Sequence, residues 1–169
     1  MIHTNNVINL KKGIISMWDK YRHETKQTIC IIGVLTLSVK LCKADGHFTE
    51  REEHDILNII PHESQQKNVL RKIIAEANED VNPIEHDARN LKSLLKNEHP
   101  EFLEFIIAVL YRLGHTDNLY SQDEDDDIRE VSKIFGVKRD LSDNFKDIAS
   151  NLFLKFTNLI KKKTEKLNA

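Results

Sequence analysis

Two acidic motifs, 72 positions apart, hold the side chains of this chain that are best suited to chemistry. The first runs from Asp45 to Glu52 and the second from Asp117 to Glu124. Each begins with Asp followed by Gly or Asn, has an aromatic residue fourth and a hydroxyl residue fifth, and ends with Glu. Hard cations such as Ca²⁺ and Mg²⁺ prefer several oxygen ligands. One shared divalent-cation site could therefore be formed by Asp45, Glu52, Asp117 and Glu124.

The same motifs have a second interpretation that needs no metal. Thr49 and Glu52 have the spacing of a capping box, in which the hydroxyl and the carboxylate each satisfy a backbone N–H at the start of a helix. Ser121 and Glu124 repeat this spacing. Neither loop has the EF-hand pattern. Metal binding and helix capping both remain open at this stage.

Residues near the motifs add weaker signals for a cation. Five acidic residues, 123–127, start the predicted helix of the second motif. The helix dipole favours such residues by about 0.3–1 kcal/mol each, but their mutual repulsion opposes this, and a cation would relieve it. His47, His54 and His115 could supply nitrogen ligands to a softer metal, although isolated surface histidines are the simpler explanation.

Composition predicts a single all-α domain that carries these motifs. The 169 residues are 40% hydrophobic and 31% charged, with a formal net charge of −2, so no overall field indicates a nucleic-acid partner. Only five Gly and three Pro occur, which is typical of long helices joined by short links. Apolar residues recur at helical spacing in seven or eight segments. Their approximate bounds are 7–21, 28–44, 49–60, 64–78, 83–95, 100–114, 121–135 and 142–159.

The chain contains two repeated helix-turn-helix halves. In the first helix of each half, the apolar residues keep the same register over the 72-residue shift. The matched sets are Ile31, Val34, Leu35, Leu37 and Leu41 in the first half, and Leu103, Ile106, Ile107, Val109 and Leu113 in the second. The predicted organisation is an N-terminal amphipathic helix in 1–24, the repeated domain in 25–150, and the end of a C-terminal helix with a basic tail in 151–169.

Both ends of the chain allow more than one function. Residues 7–21 could lie on a membrane surface with Trp18 at the lipid boundary, or pack on the domain itself. The lysines of the C-terminal tail are better explained by helix-end charge and solubility than by a nucleic-acid or lipid patch. Cys30 and Cys42 fall in one predicted helix, about 18 Å apart and beyond disulfide reach. With no signal peptide and no membrane span, we expect a cytoplasmic protein, at the inner face of the membrane if the first helix binds lipid.

The sequence Lys43-Ala44-Asp45-Gly46, followed by Thr49 and Glu52, resembles the signature of the TerB-like superfamily. That superfamily includes the tellurite-resistance TerB domain and the DjlA amino-terminal domain. The segment Ile134-Phe135-Gly136-Val137 ahead of Phe145 looks most like the DjlA branch, and the resemblance runs from about residue 28 to 150. It implies an all-α fold and probable metal binding through the acidic motif, carried here to the four matching positions.

The resemblance also implies what this chain lacks. DjlA proteins begin with a membrane span and end in a J domain that stimulates an Hsp70 ATPase, and neither is found here, so co-chaperone activity is not expected. No nucleophile elbow, phosphate-binding loop or HExxH motif is present. We therefore expect a non-catalytic, stress- or envelope-linked module that binds a divalent cation. The alternative is a metal-free scaffold that docks a chaperone or membrane-associated protein partner.

Overall fold

The structure is a computed structural model, and it describes residues 17–59, 62, 64–95, 100–114 and 121–137. Over these residues the chain is helical and has no strand, which confirms the predicted all-α class. The helices are α1 (described over residues 17–21), α2 (Lys26–Cys42), α3 (Glu50–Ile59), α4 (Lys67–Glu79), α5 (Ile84–Leu95), α6 (Pro100–Gly114) and α7 (Gln122–Phe135). The predicted helix from Ser142 and the basic tail lie outside the described residues.

Helix α2 forms the centre of the domain. Every residue from Thr28 to Leu41 is buried, and the helix packs against α4, α5 and α6, with smaller contacts to α3 and α7. A helix that is apolar all round is typically a buried one. The sequence pattern predicted one inward face, whereas neighbours on every side bury the whole circumference.

Close packing between α2 and α5 depends on one glycine. A Cβ placed on Gly33 would lie 2.6 Å from Cδ2 of Leu91, well inside van der Waals contact. Leu91 is itself fully buried, so it has little space into which to move. The absence of a side chain at Gly33 therefore sets how closely α5 approaches the central helix.

The two repeated halves pack against each other reciprocally. Helices α2 and α6, which begin the halves, are in contact, and α3 and α7 each also touch the first helix of the opposite half. The thiol of Cys30 lies 3.8 Å from the carbonyl oxygen of Phe102, the residue at the equivalent position of the second half. This exchange of contacts is consistent with a pseudo-twofold relationship, which would bring the two acidic motifs to the same side of the domain.

The described part of α1 packs into the core. Met17, Trp18 and Tyr21 are each no more than 6% exposed. For these three residues the structure shows packing on the domain, and Trp18 is not available to a lipid boundary. The remainder of the segment 7–21 lies outside the described residues, so its membrane contact stays a prediction. Among the described helices, none has both the length and the apolar character that a bilayer span requires.

Candidate cation site and the buried charge network

The first motif opens with a tight turn at the end of α2. Residues Lys43–Asp45 form a 3₁₀ turn, and the amide of Gly46 donates to the carbonyl of Lys43 at 2.8 Å. Gly46 has φ = 94°, in the left-handed region that glycine adopts without steric cost. The turn reverses the chain and leads to the start of α3.

A reciprocal set of hydrogen bonds then caps α3. The amide of Thr49 donates to Oε1 of Glu52 at 2.9 Å, and the amide of Glu52 donates to Oγ1 of Thr49 at 3.2 Å. These bonds satisfy backbone donors that have no partner within the helix. The predicted capping role of the first motif is therefore present in the structure.

The second motif forms the same capping box. The amide of Glu124 donates to Oγ of Ser121 at 3.1 Å, and the amide of Ser121 donates to Oε1 of Glu124 at 3.4 Å. Helix α7 ends at Gly136, which has φ = 70°, as the sequence predicted. Local chemistry therefore sets both ends of α7.

Glutamates from both motifs act electrostatically on the thiol of Cys42, at the end of α2. Burial raises the pKa of the Cys42 thiol well above its ordinary value, and Glu52, Glu124 and Asp55 raise it further. Helix α7 also packs against the 3₁₀ turn of the first motif. Carboxylates affect a thiol in this way only at short range, so Glu52 and Glu124 both lie within electrostatic reach of the end of α2.

The remaining predicted ligands lie outside what the structure describes. Asp45 belongs to the described 3₁₀ turn through its backbone, but neither its side chain nor any part of Asp117 is described. Among the described residues, no group of three or more potential metal-ligating side chains occurs. His47 and His54 are exposed, and His115 is outside the described part. The structure therefore describes the side chains of two of the four predicted ligands, Glu52 and Glu124, and leaves the cation site untested.

The acidic run at the start of α7 separates into residues with different roles. Asp125 accepts from Nε of Arg129 at 2.7 Å, and Asp126 accepts from Nε2 of Gln122 at 2.8 Å. Asp127 is partly buried, and its pKa rises to about 6, first because of burial and then because of Glu85 and the acidic residues of its own helix. Repulsion within the run is therefore concentrated on Asp127.

A buried charge network, which the sequence patterns did not predict, is centred on Lys40. Nζ of Lys40 is 2.7 Å from Oδ1 of Asp80 and 2.6 Å from Oδ2 of Asp87, and all three side chains are at most 7% exposed. Lys40 also donates to the carbonyl of Asn82. Buried charges are costly unless they are paired, and here one ammonium group is shared by two carboxylates.

The other oxygen of Asp87 connects this network to α1. Nε1 of Trp18 donates to Oδ1 of Asp87 at 2.8 Å. Burial raises the pKa of Asp87, while Lys40 and Trp18 partly offset that rise. The sequence did contain a signal that Lys40 is buried. Lys40 lies three residues after Leu37, which places it on the same side of α2 as buried Leu37 and Leu41.

The fold and the paired motifs define an all-α module made of two helix-turn-helix units with capped acidic helix starts. A family model described as tellurite resistance protein TerB matches residues 32–147. The chain therefore belongs to the TerB family, as the motif around Asp45 predicted. No curated protein and no solved structure matches it. The finer resemblance to the DjlA branch stays a prediction.

Proposed function

We propose that this chain is a non-catalytic TerB-family module that binds one divalent cation, Ca²⁺ or Mg²⁺, between its two halves. The ligands would be Asp45, Glu52, Asp117 and Glu124. The observation that carries the proposal is the packing of α7 against the 3₁₀ turn of the first motif, with Glu52 and Glu124, from opposite halves, both raising the pKa of the Cys42 thiol. The concentrated negative charge around Asp127 supports it, because a nearby cation would relieve that repulsion.

Helix capping leaves these glutamates able to bind a metal. The hydrogen bonds that close each capping box are accepted by Oε1 of the glutamate. A carboxylate has about four lone-pair directions on its two oxygens, so capping and coordination are compatible. A cation held by both glutamates would connect the starts of α3 and α7 and thereby couple the two halves. We propose that occupancy controls a partner surface in a stress- or envelope-linked process.

The test is an amide NMR titration of chelator-stripped protein with Ca²⁺, Mg²⁺, Mn²⁺ and Zn²⁺. We expect the signals of both motifs to shift together and to saturate at a single equivalent of Ca²⁺ or Mg²⁺. The variant Asp45→Asn/Asp117→Asn should lose this response. If neither motif responds at millimolar cation, the proposed cation site is wrong.

Glutamine variants separate coordination from capping. Gln can close a capping box through its amide oxygen, but it removes the charge that a hard cation requires. We therefore expect Glu52→Gln and Glu124→Gln to keep most of their stability and to lose cation binding. The control is Glu104→Gln, which removes an exposed carboxylate on α6 and should bind the cation as the unmodified chain does.

A second candidate function is a metal-free scaffold that docks a chaperone or membrane-associated partner. It is favoured by the two capping boxes, which give Glu52 and Glu124 a structural role that requires no cation. This candidate predicts that affinity capture returns the same partner in the presence of chelator and from Asp45→Asn/Asp117→Asn. Loss of the partner under both conditions would instead favour the cation-dependent function.

A further inference from the structure

An open cavity of about 540 Å³ lies where the α4–α5 loop meets the end of α2 and the side of α7. Its lining includes Lys40, Lys43, Val81, Glu85 and Asp127. Its volume is that of a ligand pocket, but its lining carries several charged side chains and no aromatic one, whereas the pockets that enclose most small ligands have mainly apolar and aromatic walls. The cavity therefore suits a polar side chain that enters from a partner better than a buried apolar molecule.

The α4–α5 loop is fixed by hydrogen bonds to the buried Lys40, while the middle of the loop is exposed to solvent. Lys40 binds both the carboxylate of Asp80 and the carbonyl of Asn82, and the amide of Asn82 donates to Oδ1 of Asp80 at 2.9 Å. Between these two held residues, Val81 is 80% exposed and is the most exposed large apolar side chain among the described residues. A preorganised apolar contact loses little conformational entropy when a partner binds it.

Two carboxylates at the cavity have no described counter-charge. Glu85 on α5 and Asp127 on α7 both line it, and neither has a hydrogen bond or an ion pair within the part of the chain that the structure describes. They are close enough that Glu85 contributes to the raised pKa of Asp127. The neighbouring Asp125, by contrast, is paired with Arg129. Glu85 and Asp127 are thus available to a cationic group from outside.

The balance of charge around the cavity favours a cation. The ammonium group of Lys40 is already matched by Asp80 and Asp87. Lys43 donates to the carbonyl of Asn78 at 2.7 Å, and it is the remaining positive charge of the lining. Glu79, Glu85 and Asp127 are the remaining negative ones, so the lining outside the buried network is net negative. Charge complementarity at a rim mainly sets specificity and association rate.

We propose that this cavity docks a basic segment of a protein partner. A lysine or arginine of the partner would enter between Glu85 and Asp127, and an adjoining apolar residue would pack on Val81. The requirement for an apolar neighbour distinguishes such a peptide from a free metal ion or a polyamine. The inference does not depend on the proposed cation site, because none of these three residues is among its ligands.

The test uses NMR titration of the full chain, with chelator present, by the synthetic probe acetyl-Leu-Lys-Arg-Leu-amide. We expect the amide signals of Val81, Glu85 and Asp127 to shift. Affinity should fall about tenfold in Glu85→Gln/Asp127→Asn and measurably in Val81→Ser. The matched control, Asp19→Asn/Glu104→Gln, removes two exposed carboxylates elsewhere and should bind as the unmodified chain does.

Two control ligands decide between peptide docking and simple cation attraction. Acetyl-Leu-Gln-Gln-Leu-amide lacks the charge and acetyl-Gly-Lys-Arg-Gly-amide lacks the apolar residues, so each should bind more weakly than the probe. Equal shifts with spermidine would overturn the proposal in favour of a small cation. It would also be overturned if the probe caused no shift at about 5 mM. The same holds if the probe bound Glu85→Gln/Asp127→Asn and the control Asp19→Asn/Glu104→Gln with equal affinity. Because chelator is present, failure of the proposed cation site would leave these results unchanged.

Discussion

Nε1 of Trp18 donates a 2.8 Å hydrogen bond to Oδ1 of Asp87, a residue 69 positions further along the chain. Both side chains are buried, with Trp18 4% exposed and Asp87 0% exposed. The same carboxylate pairs with Lys40 of α2 through its second oxygen. One aspartate therefore joins the N-terminal helix, the central helix and α5.

Trp18→Phe should lower the free energy of unfolding by about 1–3 kcal/mol, because it leaves a buried carboxylate oxygen without its donor. The measurement is urea denaturation followed by circular dichroism. Tyr21→Phe is the control. It removes a 3.0 Å hydrogen bond from the Tyr21 hydroxyl to the more accessible Glu76, and it leaves an aromatic ring in place, as Trp18→Phe does. An equal loss of unfolding free energy in the two variants would show that the bond to Asp87 stabilises the domain no more than the bond to Glu76.

Lys40→Met should destabilise the domain by about 3–5 kcal/mol, because it leaves two buried carboxylates without their cation. Further substitution of Asp80 and Asp87 by Asn should recover part of that loss. Lys43→Met is the comparison, because the Lys43 ammonium group binds only a carbonyl in an exposed position. Similar unfolding curves for Lys40→Met and Lys43→Met would contradict the role assigned to the network.

The capping boxes should differ in how much they stabilise the domain. Thr49→Ala and Ser121→Ala should each cost about 0.5–2 kcal/mol. We expect the larger loss at Ser121, since its box is partly buried whereas that of Thr49 is exposed, where water can replace the lost bond. Chemical denaturation of both variants without added cation measures the difference. A larger loss of unfolding free energy in Thr49→Ala than in Ser121→Ala would contradict this expectation.

Asp127→Asn should stabilise the protein at neutral pH. The pKa of Asp127 rises from the ordinary 3.8 to about 6 in the folded state, so the folded chain binds this proton more tightly and stability falls as pH rises through that window. Removal of the charge should add roughly 1 kcal/mol at about pH 7.5, after allowance for solvent screening. The gain should disappear below about pH 4. A gain that is independent of pH would show that the cause is not ionisation.

The control for this pH dependence is Asp19→Asn. Asp19 is exposed, and its Oδ1 lies 3.5 Å from Nη1 of Arg22 in an i,i+3 pair. Exposed pairs of this kind contribute little, so the difference in unfolding free energy between Asp19→Asn and the unmodified chain should be nearly the same at about pH 4 and about pH 7.5. Thermal denaturation over the same pH series compares the two variants directly.

Local signals in the sequence determined where the helices of this protein begin and end. The start of α7 after Ser121 and its end at Gly136 follow from hydrogen bonds within a few residues. The turn at Gly46 follows from backbone conformation at a single position. The 72-residue repeat also predicted that equivalent apolar residues would be buried in both halves. These features depend on neighbours along the chain, so the family and the fold class were predictable.

Only the tertiary structure decided how charge is distributed inside the fold. The local sequence does not identify Asp80 as the partner of Lys40, because it lies 40 positions away. The membrane and packed interpretations of Trp18 both stayed open because Asp87 is still more distant in sequence. The combined influence of Glu52 and Glu124 on the thiol of Cys42 likewise depends on how the halves pack. Periodicity shows which face of a helix is buried, but the partner of a buried charge is fixed by contacts between helices far apart in the chain.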